Sequence, residues 1–104
     1  MAHILIIDDD KDICLTLSRF LIKNGYQVEI AGNGEDGLQI LRNHSIDLIL
    51  CDYRLPDYTG LEVLQKIKIL SPKSAVVIIT GYSFFSRVSL IVTRSSSGNK
   101  GLVT

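Results

Sequence analysis

Aspartates follow two apolar segments of this sequence, in positions where carboxylates can bind a metal ion. Ile4–Ile7 leads into Asp8-Asp9-Asp10, and the apolar segment Ile46–Cys51 leads into Asp52. All of these candidate ligands are oxygens, and a small number of carboxylates with a main-chain carbonyl and water suits Mg²⁺ better than a fully caged Ca²⁺. A carboxylate beside Mg²⁺ is a suitable nucleophile for phosphoryl transfer, because the metal neutralises the incoming phosphoryl oxygens.

The fold must bring the two groups of aspartates together. Both preceding segments are typical of strands buried on both faces, whereas Gln27–Ala31 alternates and predicts an edge strand. Strands and helices alternate along the chain, which predicts a flavodoxin-like doubly wound parallel α/β sheet with strand order 2-1-3-4 and an incomplete fifth strand. The first and third strands are neighbours in that order, and ligands bind at their carboxyl ends. Asp8, Asp9 and Asp52 should therefore face one another, and Thr80, after the fourth strand, offers a hydroxyl on the same rim.

Three helices are expected between these strands. The first carries an apolar face, Asp10 caps its start, and Gly25 provides the left-handed residue after its last turn. The second covers about Glu35 to Asn43, and the third follows a turn at Pro56. The predicted apolar face of the first helix consists of Ile13, Leu17, Phe20 and Leu21.

The pattern is less regular after Gly81. Ser83–Thr93 fits either a fourth helix or, through its β-branched residues, a strand. Arg94–Gly101 is rich in serine and glycine and predicts a loop, and Leu102–Thr104 resembles the start of a strand.

Length and composition predict one domain over residues 1–104 and exclude several classes of protein. The chain has 11 basic and 11 acidic residues, so its net charge of zero gives no electrostatic surface for nucleic acid or anionic membrane. No apolar segment approaches a transmembrane length, and we expect a cytoplasmic protein. Cys14 and Cys51 are expected to be reduced core residues, and His3 and His44 to be surface residues without a metal or catalytic role.

Three blocks of residues give the chain its resemblance to a known family. They are Asp8-Asp9 after the first strand, Asp52 with Arg54-Leu55-Pro56 and Gly60, and Thr80-Gly81 after the fourth strand. In this order and spacing, over residues 4–82, the chain resembles the receiver domain of bacterial two-component response regulators. Residues 83–104 diverge from the family or are truncated.

The resemblance implies a role for each of these residues. Asp52 would accept a phosphoryl group from the phosphohistidine of a sensor histidine kinase. Asp9 and Asp52 would bind Mg²⁺ directly, Asp8 would assist through water, and the main-chain carbonyl of Arg54 would complete the protein ligands. Thr80 would move to hydrogen-bond the phosphoryl group. A downstream output domain or protein would read the changed surface, so the chain would be a signalling module and not an enzyme.

The C-terminal part departs from the family pattern. Receiver domains have a lysine followed by proline at the end of a fifth strand; that position falls on Leu102 here, and Lys100 is assigned to the predicted loop. The family's last helix is also missing, which would leave an apolar sheet face and a strand edge uncovered. We therefore expect the chain to associate as a homodimer, by exchange of its C-terminal segment.

Two other functions remain open. A degenerate receiver would serve only for dimerisation or docking and would not respond to Mg²⁺ with acetyl phosphate. An aspartyl-phosphate phosphohydrolase would use two aspartates two residues apart, as Asp8 and Asp10 are, but the expected following turn and the room for a cap domain are absent. Near the site, Asp57 is interpreted as a turn residue, and Tyr53 and Tyr58 either gate access or are ordinary exposed loop aromatics.

Overall fold

Residues 1–80, 89–94 and 99–103 are described by a computed structural model of the chain, with side chains described for residues 1–79. Helices and strands alternate as far as the fourth strand, and two further strands follow. The elements are β1 (His3–Ile7), α1 (Lys11–Lys23), β2 (Gln27–Ala31), α2 (Gly34–Asn43), β3 (Leu48–Asp52), α3 (Gly60–Leu70), β4 (Ala75–Thr80), β5 (Ser89–Arg94) and β6 (Asn99–Val103).

The described strands form one sheet in the order β2-β1-β3-β4-β5-β6. The first four are parallel, with β1 between β2 and β3 and with Ile7 in register with Cys51. This confirms the predicted flavodoxin-like order 2-1-3-4. It also places the carboxyl ends of β1 and β3 side by side.

The C-terminal part differs from a parallel continuation of the sheet. β5 pairs antiparallel with β4, and β6 antiparallel with β5. Only residues 81–88 separate β4 from β5, whereas a parallel crossover needs about a dozen residues or more, so the chain folds back instead.

This arrangement settles the alternatives left by the sequence where the chain is described. The strand interpretation is correct for Ser89–Thr93, and the loop prediction for Arg94–Gly101 is wrong at Arg94 and at Asn99–Gly101, which are strand residues. Lys100 therefore lies in β6, and the strand expected at Leu102 begins three residues earlier. Residues 83–88, 95–98 and 104 of these predictions lie outside the described part of the chain.

α2 and α3 pack on one face of the sheet and form the core with it. The buried residues there come from alternate positions of β1, β3 and β4 and from the inner sides of the two helices. They include Leu5, Ile7, Ile49, Cys51, Val76 and Ile78 from the strands and Leu38, Leu41, Val63, Leu64 and Ile67 from the helices.

The other face of the sheet is covered unevenly. α1 contacts β1 and β2, and Ile4 and Ile6 of β1 are 2% and 1% exposed. Further along this face, four apolar side chains of β3 and β4 are only half-buried: Leu48, Leu50, Val77 and Ile79.

One residue of the predicted apolar face of α1 is misplaced. Cys14 and Ser18 are the buried residues of this helix, with Leu17 and Leu21 partly buried, but Phe20 is 63% exposed. At about 100° per residue, Phe20 lies roughly 120° around the helix axis from Cys14, and so outside the buried stripe. The prediction for Phe20 was therefore wrong.

Helix ends are defined by local hydrogen bonds. The Asp10 carboxylate accepts hydrogen bonds from the amides of Asp12 and Ile13, which confirms it as the cap of α1. Gly25 has φ +91°, the left-handed conformation that was predicted after this helix. No helix in the described part of the chain is long and apolar enough to cross a membrane.

α3 begins with a reciprocal capping box. The amide of Glu62 donates to Thr59 Oγ1 over 3.2 Å, and the amide of Thr59 donates to Glu62 Oε1 over 2.8 Å.

Thr59→Ala is expected to lower the free energy of unfolding by about 1 kcal/mol, because an N–H of the first turn loses its partner. Urea denaturation measures the difference. Thr16→Ala, on the exposed side of α1, is the control and should change stability by less than about 0.5 kcal/mol; equal effects of the two variants would contradict the capping role.

Candidate functional site

The predicted carboxylates lie together at the carboxyl ends of β1 and β3. Asp8, Asp9 and Asp52 each place one carboxylate oxygen within 4.8 Å of the others. Asp8 and Asp52 are 7% and 4% exposed, whereas Asp9 is exposed. Two buried carboxylates therefore form the base of the site, and a third lies at its rim.

Hydrogen bonds around Asp8 position this carboxylate. The Asp8 amide donates to the Ala31 carbonyl over 3.0 Å, which ties the end of β1 to the end of β2. The Asp8 Oδ1 atom accepts from the Asp10 amide over 2.9 Å, and the Asp8 carbonyl accepts from the Cys14 thiol over 3.3 Å. Because Asp10 caps α1, it fixes the loop and does not turn toward the other carboxylates.

Burial and nearby negative charge raise the pKa of Asp8 to about 6. Burial is the largest cause, and the charges of Asp52, Asp9 and Asp10 add to it, although the Asp10 N–H acts in the opposite direction. The carboxylates of this site therefore repel one another. A hard divalent cation with oxygen preference would relieve that repulsion, so the donor set fits Mg²⁺.

The two cysteines near the site are not candidate ligands or nucleophiles. Burial raises the pKa of Cys14 to about 11 and that of Cys51 to about 12, and neighbouring aspartates add to both effects. Both thiols are free and buried, as the sequence predicted. They remain protonated at neutral pH and act as core residues.

The segment after Asp52 forms a compact turn. The Tyr53 amide donates to the Ile79 carbonyl over 3.0 Å, and the Gly60 amide donates to the Tyr53 carbonyl over 2.6 Å. Between these points, Arg54 and Thr59 form an isolated antiparallel bridge. The backbone of Arg54 is thereby fixed two residues from Asp52.

For the other predicted site residues, the structure describes at most the position of the backbone. Thr80 ends β4, one residue beyond Ile79, which pairs with Asp52. Its side chain and Gly81 lie outside the described part of the chain. Lys100 is in β6, which β4 and β5 separate from β3.

Three residues of the loop after Asp52 make contacts that the sequence did not predict. Asp57 is more than a turn residue, because its carboxylate accepts hydrogen bonds from the amides of Gly34 and Glu35 at the start of α2. No local pattern predicts this contact, since the partners are 22 and 23 residues away. Tyr53 and Tyr58 are partly buried against the core, so the interpretation as exposed aromatics was wrong.

The histidines lie at the opposite end of the sheet from the carboxylates. His3 begins β1, and its side chain is 13% exposed, with Nε2 3.1 Å from Glu29 Oε2. Its ring meets that of exposed His44 edge-on, with 6.0 Å between centroids. The surface prediction therefore holds for His44 but not for His3.

A cleft of about 420 Å³ opens beside the carboxylates, between α1 and the end of β2. It gives access to the rim of the site. Its lining residues are Asp8, Asp9, Lys11, Cys14, Leu15, Ile30 and Gly32.

Comparison with known proteins identifies relatives of this arrangement. The family model "Response regulator receiver domain" matches residues 4–93. The transcriptional regulatory protein ZraR of Klebsiella oxytoca is 41% identical over 82 residues, which cover 79% of this chain but only 18% of that protein. The chain thus spans less than a fifth of the length of this curated relative.

Solved structures show the same fold. The CheY-like receiver domain protein from Methanospirillum hungatei is 38% identical with a TM-score of 0.76, over 82% of this chain and 68% of that one. A response regulator from Burkholderia pseudomallei, solved with a phosphorylated aspartic acid, a calcium ion and citrate, is 28% identical with a TM-score of 0.74, over 82% and 50% of the two chains. A chain in the complex of histidine kinase ThkA with response regulator TrrA is 31% identical with a TM-score of 0.73, over 84% and 75%.

Proposed function

Because the chain belongs to the response regulator receiver domain family, we propose that it is the phosphoacceptor module of a two-component phosphorelay. Asp52 takes a phosphoryl group from a sensor histidine kinase in a Mg²⁺-dependent reaction. The observation that carries this proposal is that three carboxylates at the carboxyl ends of β1 and β3 lie within 4.8 Å of one another. The phosphorylated aspartic acid and calcium ion in the related Burkholderia structure support it.

In the proposed reaction an oxygen of the Asp52 carboxylate attacks the phosphorus of the kinase phosphohistidine. The new O–P bond forms as the N–P bond breaks, and the imidazole nitrogen keeps the electron pair of that bond. Mg²⁺, when bound, neutralises the phosphoryl oxygens. Asp52 is only 4% exposed, so little water reaches its carboxylate.

The proposed metal ligands are those that the resemblance to receiver domains implies. Asp9 at the rim and Asp52 at the base bind the ion directly, and Asp8 acts through one of the waters that Mg²⁺ retains. The Arg54 carbonyl, in the turn after Asp52, is the remaining protein ligand. Thr80, beside β3 at the end of β4, is proposed to hydrogen-bond the phosphoryl group.

Residues 1–104 form one receiver unit, and the histidine kinase and an output domain or protein are its partners. The ThkA–TrrA complex supports the first of these partners. We also propose that the protein is cytoplasmic, because Cys14 and Cys51 are free thiols of the kind found in reducing compartments.

The chain is proposed to be a signalling module and not a phosphohydrolase. In the phosphohydrolase alternative Asp8 and Asp10 act together on the substrate. Asp10 Oδ1 instead accepts two amide hydrogen bonds at the start of α1. The degenerate docking module remains the second candidate, because the family's lysine-proline pair is absent from the sequence.

Intact-mass spectrometry after incubation with acetyl phosphate and Mg²⁺ tests the proposal. The wild-type chain is expected to gain one phosphoryl group, and chelation of Mg²⁺ is expected to prevent the gain. A wild-type chain that gains nothing would favour the docking module.

Self-association is a separate part of the proposal. The half-buried residues Leu48, Leu50, Val77 and Ile79 leave apolar surface on the sheet face that α1 does not fully cover. We expect the weight-average mass from light scattering to rise with protein concentration. A monomer mass that is independent of concentration would exclude a homodimer and segment exchange.

A further inference from the structure

Asp57 connects the turn after Asp52 to the start of a different element. Its Oδ1 accepts from the Gly34 amide over 2.8 Å, and its Oδ2 accepts from the Glu35 amide over 2.9 Å. These amides belong to the first turn of α2, where N–H groups have no partner within the helix and the helix dipole favours negative charge. The Asp57 carboxylate thus holds the turn and α2 together with both oxygens.

Packing next to Asp57 supports the same attachment. The backbone of Gly34 approaches the Tyr58 ring so closely that a Cβ at this position would lie 2.5 Å from Tyr58 Cδ2. The Lys66 ammonium also lies 5.4 Å from the centre of the Tyr58 ring. The turn is therefore held against α2 by hydrogen bonds at Asp57 and by contact at Tyr58.

Arg54 lies between two anchor points of this turn. On one side, the Tyr53 amide is bonded to the Ile79 carbonyl of β4. On the other side, the Leu55 amide donates to the Tyr58 carbonyl over 3.1 Å, and Arg54 itself bridges to Thr59. The second anchor is attached to the rest of the fold through Asp57 and Tyr58.

We infer that Asp57 is a positioning residue for the metal site, which holds the Arg54 carbonyl in place by tying its turn to the start of α2. This inference rests on the proposed function, in which that carbonyl binds Mg²⁺. A ligand on a turn that is already fixed loses less conformational freedom on binding than one on a loose turn. Asp57 does not touch the ion or the phosphoryl group in this arrangement.

Mg²⁺ titration of purified Asp57→Ala by isothermal calorimetry tests the inference. We expect the dissociation constant to rise about tenfold, the lower end of the effect of removing a residue that orients a metal ligand. Asp57→Asn keeps an oxygen acceptor and should recover part of the affinity.

Asn33→Ala is the matched control. Asn33 Oδ1 also caps the start of α2, by accepting from the Asp36 amide over 2.8 Å, but its recorded side-chain hydrogen bonds are to Asp36 and not to the turn after Asp52. Both variants weaken the same end of α2, and only the Asp57 variant should weaken Mg²⁺ binding. Amide hydrogen exchange at Leu55 in the metal-free protein should likewise become faster in Asp57→Ala only.

The possible results separate this inference from the proposed function. If the wild type binds Mg²⁺ and Asp57→Ala binds it as tightly as Asn33→Ala does, the positioning role is wrong and the metal site stands. If the wild type binds no Mg²⁺, the metal-dependent function fails and the inference fails with it.

Discussion

Asp52→Asn is expected to accept no phosphoryl group from acetyl phosphate under conditions in which the wild type is modified. Asparagine keeps the shape of the side chain at this buried position, but its amide is not a nucleophile and carries no negative charge for a metal ion. Loss of a nucleophile can cost about 10⁶-fold in rate, so labelling should fall to background. Intact-mass spectrometry over a time course measures the result.

Asp12→Asn is the control for this experiment. Asp12 is an exposed carboxylate in the first turn of α1, close to the site in sequence but outside the group of three carboxylates. This variant should be labelled like the wild type. Labelling of Asp52→Asn at the wild-type rate would mean that another residue is the phosphoacceptor.

Asp8→Asn is expected to stabilise the metal-free protein by about 2 to 3 kcal/mol at pH 7.5, at about 1.36 kcal/mol per pKa unit. The folded-state pKa of Asp8, about 6, lies above the ordinary aspartate value of 3.8. The folded state therefore binds this proton more tightly than the unfolded state. The Asp8 contribution to stability is favourable below about pH 4 and is lost as the pH rises through about 6. Asparagine removes that loss and keeps an oxygen for the Asp10 amide.

Urea denaturation in the presence of a chelator, at pH 4 and at pH 7.5, checks both the size and the sign of this effect. The difference between Asp8→Asn and the wild type should shrink toward pH 4, where Asp8 is largely protonated. Added Mg²⁺ should stabilise the wild type more than the variant, because a ligand stabilises the state that binds it. Equal stability of the two proteins at pH 7.5 would show that the Asp8 carboxylate carries no such penalty.

The position of the three carboxylates could be predicted because it depends on regular structure alone. Two apolar strands that are parallel neighbours must bring Asp8 and Asp52 to the same edge of the sheet, whatever the details of packing. The cap at Asp10 and the left-handed Gly25 were predictable for the same reason, since each depends on residues within one turn of a helix. The roles of Arg54 and Thr80 in binding stay predictions.

Features that depend on distant contacts were not predictable in this way. Asp57 looks like an ordinary turn residue until the start of α2 is placed beside it. Phe20 fits an apolar repeat in α1, and only the packing of that helix on the sheet shows that the buried stripe passes through Cys14 and Ser18 instead. The return of the chain at β5 depends on how far residues 81–88 can extend, and hydrophobic periodicity does not report that.

The antiparallel pairing of the last two strands also determines how far Lys100 lies from Asp52 along the strand direction. Lys100 pairs with Thr93, Thr93 with Val76, and Val76 with Ile49, three residues before Asp52. With three strand spacings across the sheet and three residues along it, the backbones of Lys100 and Asp52 are separated by about 17 Å. A lysine side chain is too short to cross that gap, so a phosphoryl group on Asp52 would have to be balanced by a positive charge from elsewhere in the chain, from a partner, or by the metal ion alone.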